Sequence, residues 1–530
     1  MADEETKRAA TLSQSHLRML EWARRHAGHG AGPGGVLADL VAGADEAAIA
    51  AARGMTPAAV AGVRTFYDQL GDATRACDGT ACRFGGGEAL ARRLALTGAV
   101  GTVRCLGLCY AAPSFQAGDR VFARPADLGL EAWLADTDEG GWPREVRRPI
   151  PRAALAETPI VLRNVLPGRE AAGLAEYELP EAEHILTALE ASRLRGRGGA
   201  AFPTAAKWRA ARDTTASRRF VIANGDEGDP GSFTDRLLLE EDPHAVLAGM
   251  LACARVIGAA RGVVYIRAEY PRAQIVVREA IAAARAAGRL DASFEIEVVS
   301  GAGSYVCGEE TALLRSIEGL RGEPSPKPPF PSECGLFGLP TVVQNVETLA
   351  VVPWIARAPL DRVPGPHPGS GTKAVSVSGA VARPGVVEVA LGTPLATVLR
   401  EGAGGPLLGR RWKLALVGGP MGRVLPAERF DTPLSYEALP GMGHAGVVVL
   451  DKTVRIRDLA EHLFEFARAE SCGTCAPCRI GTARLRDMPD RGRLERLLDT
   501  LEMGSLCGFG QGVPRPLRDL LEHFGDEVFA

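Results

Sequence analysis

The sequence predicts a multidomain α/β protein in which two sets of cysteines flank a central α/β region. Three observations support this prediction. The chain has 530 residues, about three or four times the length of a typical domain. Helical and strand-like segments alternate over residues 160–365, as they do in domains where helices cover a largely parallel sheet. Eight of the eleven cysteines fall into two sets of four, one on either side of that region.

The composition is that of an ordinary globular protein. Hydrophobic residues make up 46% of the chain and charged residues 24%. With 61 basic and 64 acidic side chains the formal charge is −3, so electrostatics gives no reason to expect nucleic acid or an anionic membrane as the main partner. We find no run of 18 apolar residues, and the first residues are charged and polar. We therefore expect a cytoplasmic protein without membrane insertion or a secretory signal.

The N-terminal part is predicted to be a helical region, 1–72, followed by a compact cysteine-bearing unit, 73–142. The helical pattern begins at about residue 10, and Thr56-Pro57 indicates a helix start. Short strand-like runs accompany the first cysteine set, and prolines then indicate a linker.

The rest of the chain divides into three predicted units. Valine-rich runs broken by glycine and proline predict a small β-rich unit over 366–450, and the chain is helical again over 451–530. In the central region, 160–365, the predicted order is helix 181–192, glycine-rich loop, helix 205–212, strand 220–223, helix 243–257, strand 262–267, helix 273–287 and strand 294–300.

Four cysteines near the C-terminus form the most specific motif in the chain. Cys472, Cys475 and Cys478 form a C-x2-C-x2-C motif, and Cys507 follows after 28 intervening residues. Three thiolates on one turn with a distant fourth are the usual ligands of a [4Fe–4S] cluster. Structural zinc sites more often pair two C-x2-C units. The motif therefore predicts a [4Fe–4S] cluster, with zinc or unrelated buried cysteines as the alternatives.

The other set combines Cys77-x4-Cys82 with Cys105-x3-Cys109. Two such pairs suit a [2Fe–2S] cluster, in which each iron takes two thiolates. Zinc also tolerates these spacings, and the pairs could instead be redox-active thiols. The spacing favours the [2Fe–2S] cluster and leaves those alternatives open.

A glycine-rich loop precedes the second central helix. Residues 195–201 contain a formal G-x-G-x-x-A, but the segment before it is helical, so the strand that a Rossmann motif requires is missing. Glycines still let backbone N–H groups approach a phosphate, and Lys207, one of six lysines, follows in the next helix. A flexible surface loop with a solvated lysine is the alternative.

Two further loops follow predicted strands. Residues 224–231 carry three carboxylates in four positions, which could face ribose hydroxyls, bind a hard cation or form a solvated turn. Residues 304–310 end in Glu309 and Glu310, which could equally be an exposed helix start. Each loop taken alone leaves these alternatives open.

Together these segments resemble one family, the flavin- and NADH-binding subunit of respiratory complex I. The same module occurs in NAD-reducing hydrogenases and in molybdenum or tungsten NAD-dependent formate dehydrogenases. Residues 10–140 resemble the thioredoxin-like [2Fe–2S] subunit that accompanies it, here fused in one chain, and 416–422 and 508–524 are most similar to formate dehydrogenase β subunits. The segments that carry the main resemblance are 195–208, 224–232, 301–312, 328–349 and 470–479.

The resemblance implies an FMN and NADH site in the central domain. FMN would lie on the glycine loop and NADH over the flavin, with its adenine against Phe202 and Phe330 and its ribose near Asp229 and Glu310. Lys207 and Glu310 are the implied catalytic residues. The cofactor-binding residues implied in this way are Gly196, Arg197, Gly198, Gly199, Phe202, Lys207, Asn224, Asp226, Glu227, Asp229, Tyr305, Gly308, Glu309, Glu310, Phe330, Asn345 and Thr348.

The sequence departs from the family pattern at several positions. Ala201 and Ala205 stand where glycines are expected, Gln344 replaces an asparagine, and Asp229 replaces a glutamate. The 22 residues between the two pairs of the first cysteine set are fewer than expected. By the same resemblance, the unit with that set would be thioredoxin-like, and the small β-rich unit would be ubiquitin-like with a β-grasp-like sheet.

The function implied is that of a diaphorase subunit. Hydride transfer moves two electrons whereas iron–sulfur clusters carry one each, so a flavin has to stand between them. We expect formate to be oxidised by a separate molybdopterin-containing α subunit, with a small iron–sulfur subunit as a second candidate partner. An NAD-reducing hydrogenase or a fused complex I subunit is the alternative within this class. A non-catalytic iron–sulfur assembly protein is the alternative outside it.

Overall fold

The computed structural model describes residues 36, 39–40, 43–70, 73–118, 120–125, 128–138, 141–143, 149–169, 172–358, 371–487 and 490–529. The helical pattern expected over residues 10–35 lies outside this set. Among the described helices, none combines the length and the apolar character that crossing a bilayer requires.

Two short helices precede the unit that carries the first cysteine set. In α1 (Glu46–Arg53), the carboxylate of Asp45 accepts hydrogen bonds from the first free N–H groups. The next helix, α2 (Pro57–Arg64), begins at Thr56 with proline in its first turn, as predicted. Buried side chains of both helices, Val60 among them, pack against the central domain.

The first cysteine set is carried by a four-stranded mixed sheet. The strand order is β2-β1-β3-β4, with β1 parallel to β2 and antiparallel to β3. A linker then leads to β5 (Arg152–Ala154). The elements of the unit are β1 (Thr74–Cys77), α3 (Thr80–Cys82), α4 (Glu88–Leu94), β2 (Val100–Val103), β3 (Ser114–Ala117), β4 (Arg120–Ala123) and α5 (Leu130–Ala135).

The central domain is a four-stranded parallel sheet covered by helices. The sheet order is β8-β7-β6-β9. Each predicted helix and strand is present to within two residues at either end, and α8, α11, β9 and α12 are additional elements. The elements are α6 (Ala182–Ser192), α7 (Thr204–Asp213), β6 (Phe220–Gly225), α8 (Thr234–Glu241), α9 (Pro243–Ile257), β7 (Arg261–Ile266), α10 (Pro271–Ala286), β8 (Glu295–Ser300), α11 (Glu310–Ile317), β9 (Thr341–Asn345) and α12 (Val346–Arg357).

The small β-rich unit is a six-stranded mixed sheet in the order β13-β12-β14-β10-β11-β5. Its sixth strand was not predicted, because β5 comes from the linker and pairs in parallel with β11. The buried carboxylate of Glu388 on β11 accepts N–H bonds of 2.6–2.9 Å from residues 160–162 just beyond β5. The other elements are β10 (Thr372–Gly379), β11 (Gly385–Ala390), α13 (Leu395–Thr397), β12 (Trp412–Val417), β13 (Arg423–Pro426) and β14 (Gly446–Asp451).

The C-terminal part is helical from Ile456, as predicted. One hydrophobic core joins its helices to α9 and α12, so the cysteine motif there is held against the central domain. The helices are α14 (Ile456–Glu470), α15 (Ala476–Arg484), α16 (Arg491–Gly504), α17 (Gly508–Gly512) and α18 (Pro514–Phe524).

Candidate functional site

The glycine loop connects α6 to α7, so a helix rather than a strand precedes it. It is closed by a hydrogen bond of 2.8 Å from the N–H of Gly196 to the carbonyl of Phe202. A Cβ at Gly198 would lie 3.0 Å from the Cβ of Asn345, at the end of β9. Glycine is therefore needed where the loop approaches this strand end.

Beneath the loop lies a buried ion triad of Arg197, Glu347 and Lys373. The guanidinium of Arg197 donates to Glu347 at 2.7 Å and to the Thr372 carbonyl at 2.7 Å, and Lys373 donates to the other Glu347 oxygen. The backbone N–H of Arg197 donates to Thr348 Oγ1 at 2.8 Å. The side chain of Arg197 thus fixes the loop to α12 and β10, and its guanidinium group is occupied by these contacts.

The acidic loop begins at the carboxyl end of β6. Asn224 donates to the Gly308 carbonyl at 3.0 Å, which ties this loop to the double glutamate. Burial raises the pKa of Asp226 to about 8, against the charge of Arg267. Glu227 accepts the N–H groups of Asp235 and Arg236 at the start of α8, both at 3.1 Å, so its carboxylate caps that helix.

Asp229 is 7% exposed, and both of its oxygens are engaged. The hydroxyl of Tyr305 donates to Oδ1 at 2.5 Å, and Nδ1 of His444 lies 3.0 Å from Oδ2. The position expected next to a ribose is therefore occupied by a charge-compensated carboxylate. Its role toward a coenzyme stays a prediction.

The double glutamate at the start of α11 combines a structural and a chemical role. Glu309 caps the helix, as the helix-start alternative predicted, and Lys327 bridges Glu309 and Glu310 at 2.7 and 2.8 Å. Lys207 donates to Glu310 at 2.9 Å. Burial opposes ionisation of Glu310, but Lys207 and Lys327 together hold its pKa below the ordinary value. Glu310 is therefore an anion at neutral pH between two cations.

Two aromatic side chains beside these loops remain half exposed. Phe202, at the end of the glycine loop, is 50% exposed, and Phe330, three residues after Lys327, is 49% exposed. Large apolar rings exposed to this degree next to a charged cleft provide surface on which a planar ring can stack.

The second cysteine set surrounds the start of α15. Cys472 and Cys478 are buried, whereas Cys475 and Cys507 are partly exposed. Burial, together with the neighbouring cysteines, raises the pKa of Cys478 to about 12. Four thiols so placed become thiolates when a cationic cluster compensates their charge, so the donor set suits the predicted [4Fe–4S] cluster.

The first cysteine set lies between its own sheet and the central domain. All four cysteines are buried. Cys105 Sγ and Cys109 Sγ are 3.6 Å apart, close to the separation of about 3.8 Å expected for two sulfurs 2.3 Å from one tetrahedral metal. The N–H of Gly107 donates to Cys105 at 3.3 Å, and that of Gly231, in the acidic loop, donates to Cys109 at 3.3 Å.

Several features of the site fit a bound flavin nucleotide. Buried Oδ2 of Asp226 and Oε1 of Gln344 have no hydrogen-bond partner among the described residues. A Cβ at Gly308 would lie 3.3 Å from the Asp226 carbonyl. A cavity of about 280 Å³ lies between Glu309 and Cys507, and its lining is Glu309, Ser325, Pro326, Lys327, Leu506, Cys507, Gly508 and Gln511. Unpaired acceptors beside glycines and an open cleft are what a polar ring system requires.

Sequence reasoning missed Glu347, Lys373, Lys327 and His444. Scarcity was a usable signal for the lysines, because Lys207, Lys327 and Lys373 are three of only six in the chain and all three are ion-paired at the site. Nothing in the sequence distinguishes His444 from the other eight histidines.

Three protein families match parts of the chain. Residues 189–354 match the Nuo51 FMN-binding domain, 374–425 the SLBB domain, and 458–530 the iron–sulfur binding region of NADH-ubiquinone oxidoreductase-F. The first and third matches contain the glycine loop and the second cysteine set respectively.

Individual proteins are similar over longer ranges. The chain is 40% identical over 382 residues to NADP-reducing hydrogenase subunit HndC of Solidesulfovibrio fructosivorans, covering 68% of this chain and 78% of that protein. It is 38% identical over 411 residues to an NADH-quinone oxidoreductase subunit of Rhizobium meliloti, covering 70% and 97%. A chain of a solved NAD+-reducing [NiFe]-hydrogenase in the H2-reduced state superposes with a TM-score of 0.81 at 33% identity, covering 94% of this chain and 92% of that one.

Proposed function

Because the chain belongs to the family of the complex I 51 kDa flavoprotein, which binds NADH and FMN, we propose that it is the diaphorase subunit of a cytoplasmic NAD-dependent formate dehydrogenase. At the level common to the family, it is an NADH-binding flavoprotein oxidoreductase subunit with FMN and a [4Fe–4S] cluster, and it works within a multi-subunit complex. The observation that carries the proposal is the cavity of about 280 Å³. It is lined both by Glu309 and Lys327 of the proposed coenzyme site and by Cys507 of the second cysteine set.

FMN, when bound, converts a two-electron hydride transfer into one-electron transfers. In the proposed site, the glycine loop, Asn224, Asp226, Gly308, Asn345 and Thr348 hold this group. The anionic Glu310, fixed by Lys207 and Lys327, would orient the coenzyme, and Phe202 and Phe330 would offer rings on which its adenine can stack. Asp226 is only 8% exposed, so water has little access to its carboxyl group.

We propose a [2Fe–2S] cluster on Cys77, Cys82, Cys105 and Cys109 in a thioredoxin-like domain. The separation of 3.6 Å between the sulfurs of Cys105 and Cys109 supports it. The N–H bond from Gly231 to Cys109 connects this cluster to the acidic loop.

We propose that the electron-donating partner docks beside the second cysteine set. Ile480 is 56% exposed, Met503 82% and Leu506 37%, and Ile480 and Leu506 lie close in sequence to Cys478 and Cys507. Exposed apolar side chains next to partly exposed cysteines favour a protein contact that also shortens the path for electrons. The proposed partner is the molybdopterin-containing α subunit, because 416–422 and 508–524 resemble formate dehydrogenase β subunits.

A hydrogenase partner is the second candidate, and it is supported by the relatives that are hydrogenase subunits. Affinity purification of the tagged chain from its native cells, followed by metal analysis, separates the two. We expect molybdenum or tungsten in the complex and reduction of NAD+ by formate. Nickel and reduction of NAD+ by H2 would contradict the formate assignment.

The diaphorase role itself is tested on the chain alone. After anaerobic reconstitution, we expect one FMN per chain, reduction of ferricyanide by NADH, and no turnover of formate. Formate turnover by the isolated chain would contradict the division of labour between the subunits, and absence of FMN would contradict the flavin site.

A further inference from the structure

A histidine from the small β-rich domain reaches into the central domain and meets two carboxylates. His444 precedes β14, next to Ala445, which has a φ of 60° that non-glycine residues rarely adopt. Its Nδ1 lies 3.0 Å from Oδ2 of Asp229 and its Nε2 lies 3.8 Å from Oδ2 of Asp235. Both ring nitrogens therefore face carboxyl oxygens, an arrangement that favours the doubly protonated, positively charged ring.

The two carboxylates in turn hold residues of the proposed flavin site. Asp229 accepts the hydroxyl of Tyr305 at 2.5 Å, and Asp235 accepts Nδ2 of Asn345 at 2.6 Å. Asn345 lies against the glycine loop, and Tyr305 packs against Gly228 of the acidic loop. The imidazole is thus the centre of a chain of contacts that links the acidic and glycine loops.

On the basis of the proposed function, we propose that His444 is a positioning residue of the flavin site, whose imidazolium fixes Tyr305 and Asn345 through Asp229 and Asp235. It also compensates the carboxylate of Asp229, which would otherwise repel the phosphate of a flavin nucleotide, whereas burial raises the pKa of Asp235 to about 8, so that this second group carries little charge at pH 7. The proposal adds a residue from the loop before β14 to a site to which the small β-rich domain already contributes Lys373.

The charge of the ring follows from the groups around it. Burial opposes protonation, but the hydrogen bond to Asp229 and the charges of Asp229, Asp235 and Glu227 raise the pKa of His444 to about 9. Lys373 also faces this loop, since its Nζ donates to the His444 carbonyl at 3.0 Å. A pKa raised above the unfolded value of about 6.5 means that the stabilising charge is fully present below about pH 6.5. It is lost as the pH rises through about 9.

The test is FMN binding to the full chain after removal of its flavin, followed by fluorescence from about pH 6.5 to 10. Wild-type affinity should be high at pH 7 and weaken above about pH 9. His444→Gln should bind FMN about tenfold or more weakly at pH 7, because a charge-assisted hydrogen bond is lost, and its profile should lack the step near pH 9. The matched control is His184→Gln, on the exposed side of α6, which should behave like wild type.

His444→Lys provides the second variant, because it returns a positive charge without the ring. It should bind FMN more tightly at pH 7 than His444→Gln does, and it decides the question if the Gln variant does not fold. Equal affinity of wild type and His444→Gln, or a step near pH 9 that survives the substitution, would overturn the proposal. Failure of the wild-type chain to bind FMN would instead overturn the proposed function.

Discussion

Replacing Glu347 by Gln should loosen the glycine loop without changing any residue of the loop. Glu347 is 1% exposed, and its carboxylate compensates the positive charges of Arg197 and Lys373. Burial opposes its ionisation, but the two cations keep the pKa of Glu347 below the ordinary value. In Glu347→Gln, both cations face a neutral amide in a buried position.

The expected cost follows from this geometry. Removing one partner of a buried ion pair lowers the stability of the folded state by about 3–5 kcal/mol, because the other charge is left buried without a partner. The free energy of opening of the loop should therefore fall by about 3–5 kcal/mol, and adding Lys373→Met should restore part of it by removing the excess charge.

Hydrogen exchange at the backbone N–H of Arg197 measures this opening directly, because that group donates to Thr348 in the closed loop. At about 1.4 kcal/mol per factor of ten, exchange should accelerate by roughly 100-fold or more. The control is Glu190→Gln, which removes an exposed ion pair with Arg209 and should change the rate little. Exchange at Arg197 that stays within about threefold of wild type in Glu347→Gln would refute the role of the triad.

Three other predictions concern the cysteines, the pH dependence and the coenzyme. Cys475→Ser should abolish the EPR signal of the reduced [4Fe–4S] cluster while NADH–ferricyanide activity persists, and Cys334→Ser, outside both sets, should leave the signal unchanged. Burial and nearby arginine charges lower the pKa of His462 to about 3, so stability should fall as the pH drops below about 6.5, and acid titration of His462→Gln should show a smaller loss. Phe202→Ala and Phe330→Ala should each raise KM for NADH about tenfold with kcat retained, as expected for loss of base stacking; an unchanged KM would place both rings outside the pocket.

The central domain could be predicted in detail because its helices and strands differ in period and are separated by glycine and proline. The prediction failed where the pattern is absent. Helix α8 contains three consecutive buried leucines, Leu237, Leu238 and Leu239, which hide the helical period. Strand β5 is only Arg152–Ala154, and its pairing partner cannot be deduced from so short a segment.

The sequence predicts which loops form the site, but it does not predict which charged side chains pair with one another there. Parallel strands bring the loops after β6, β8 and β9 to one edge of the sheet, so their meeting follows from the fold. The compensation of Asp229 by His444 joins residues 215 apart in the chain, and that of Glu347 by Lys373 joins two domains. Such ion pairs depend on how the domains pack against each other, and this packing cannot be deduced from the pattern of residues within a short segment.

The edge strand β5 is synthesised long before β11, the strand with which it pairs. Its partner residue Val386 follows Arg152 by 234 positions, so at about 5–20 residues per second roughly 10–50 s pass before β11 emerges from the ribosome. During that interval, β5 and the segment that Glu388 later binds have no sheet to join. A gene divided within residues 144–148 would leave β5 with its sheet, whereas a division after Ala154 would leave the edge of β11 uncovered and open to pairing with other chains.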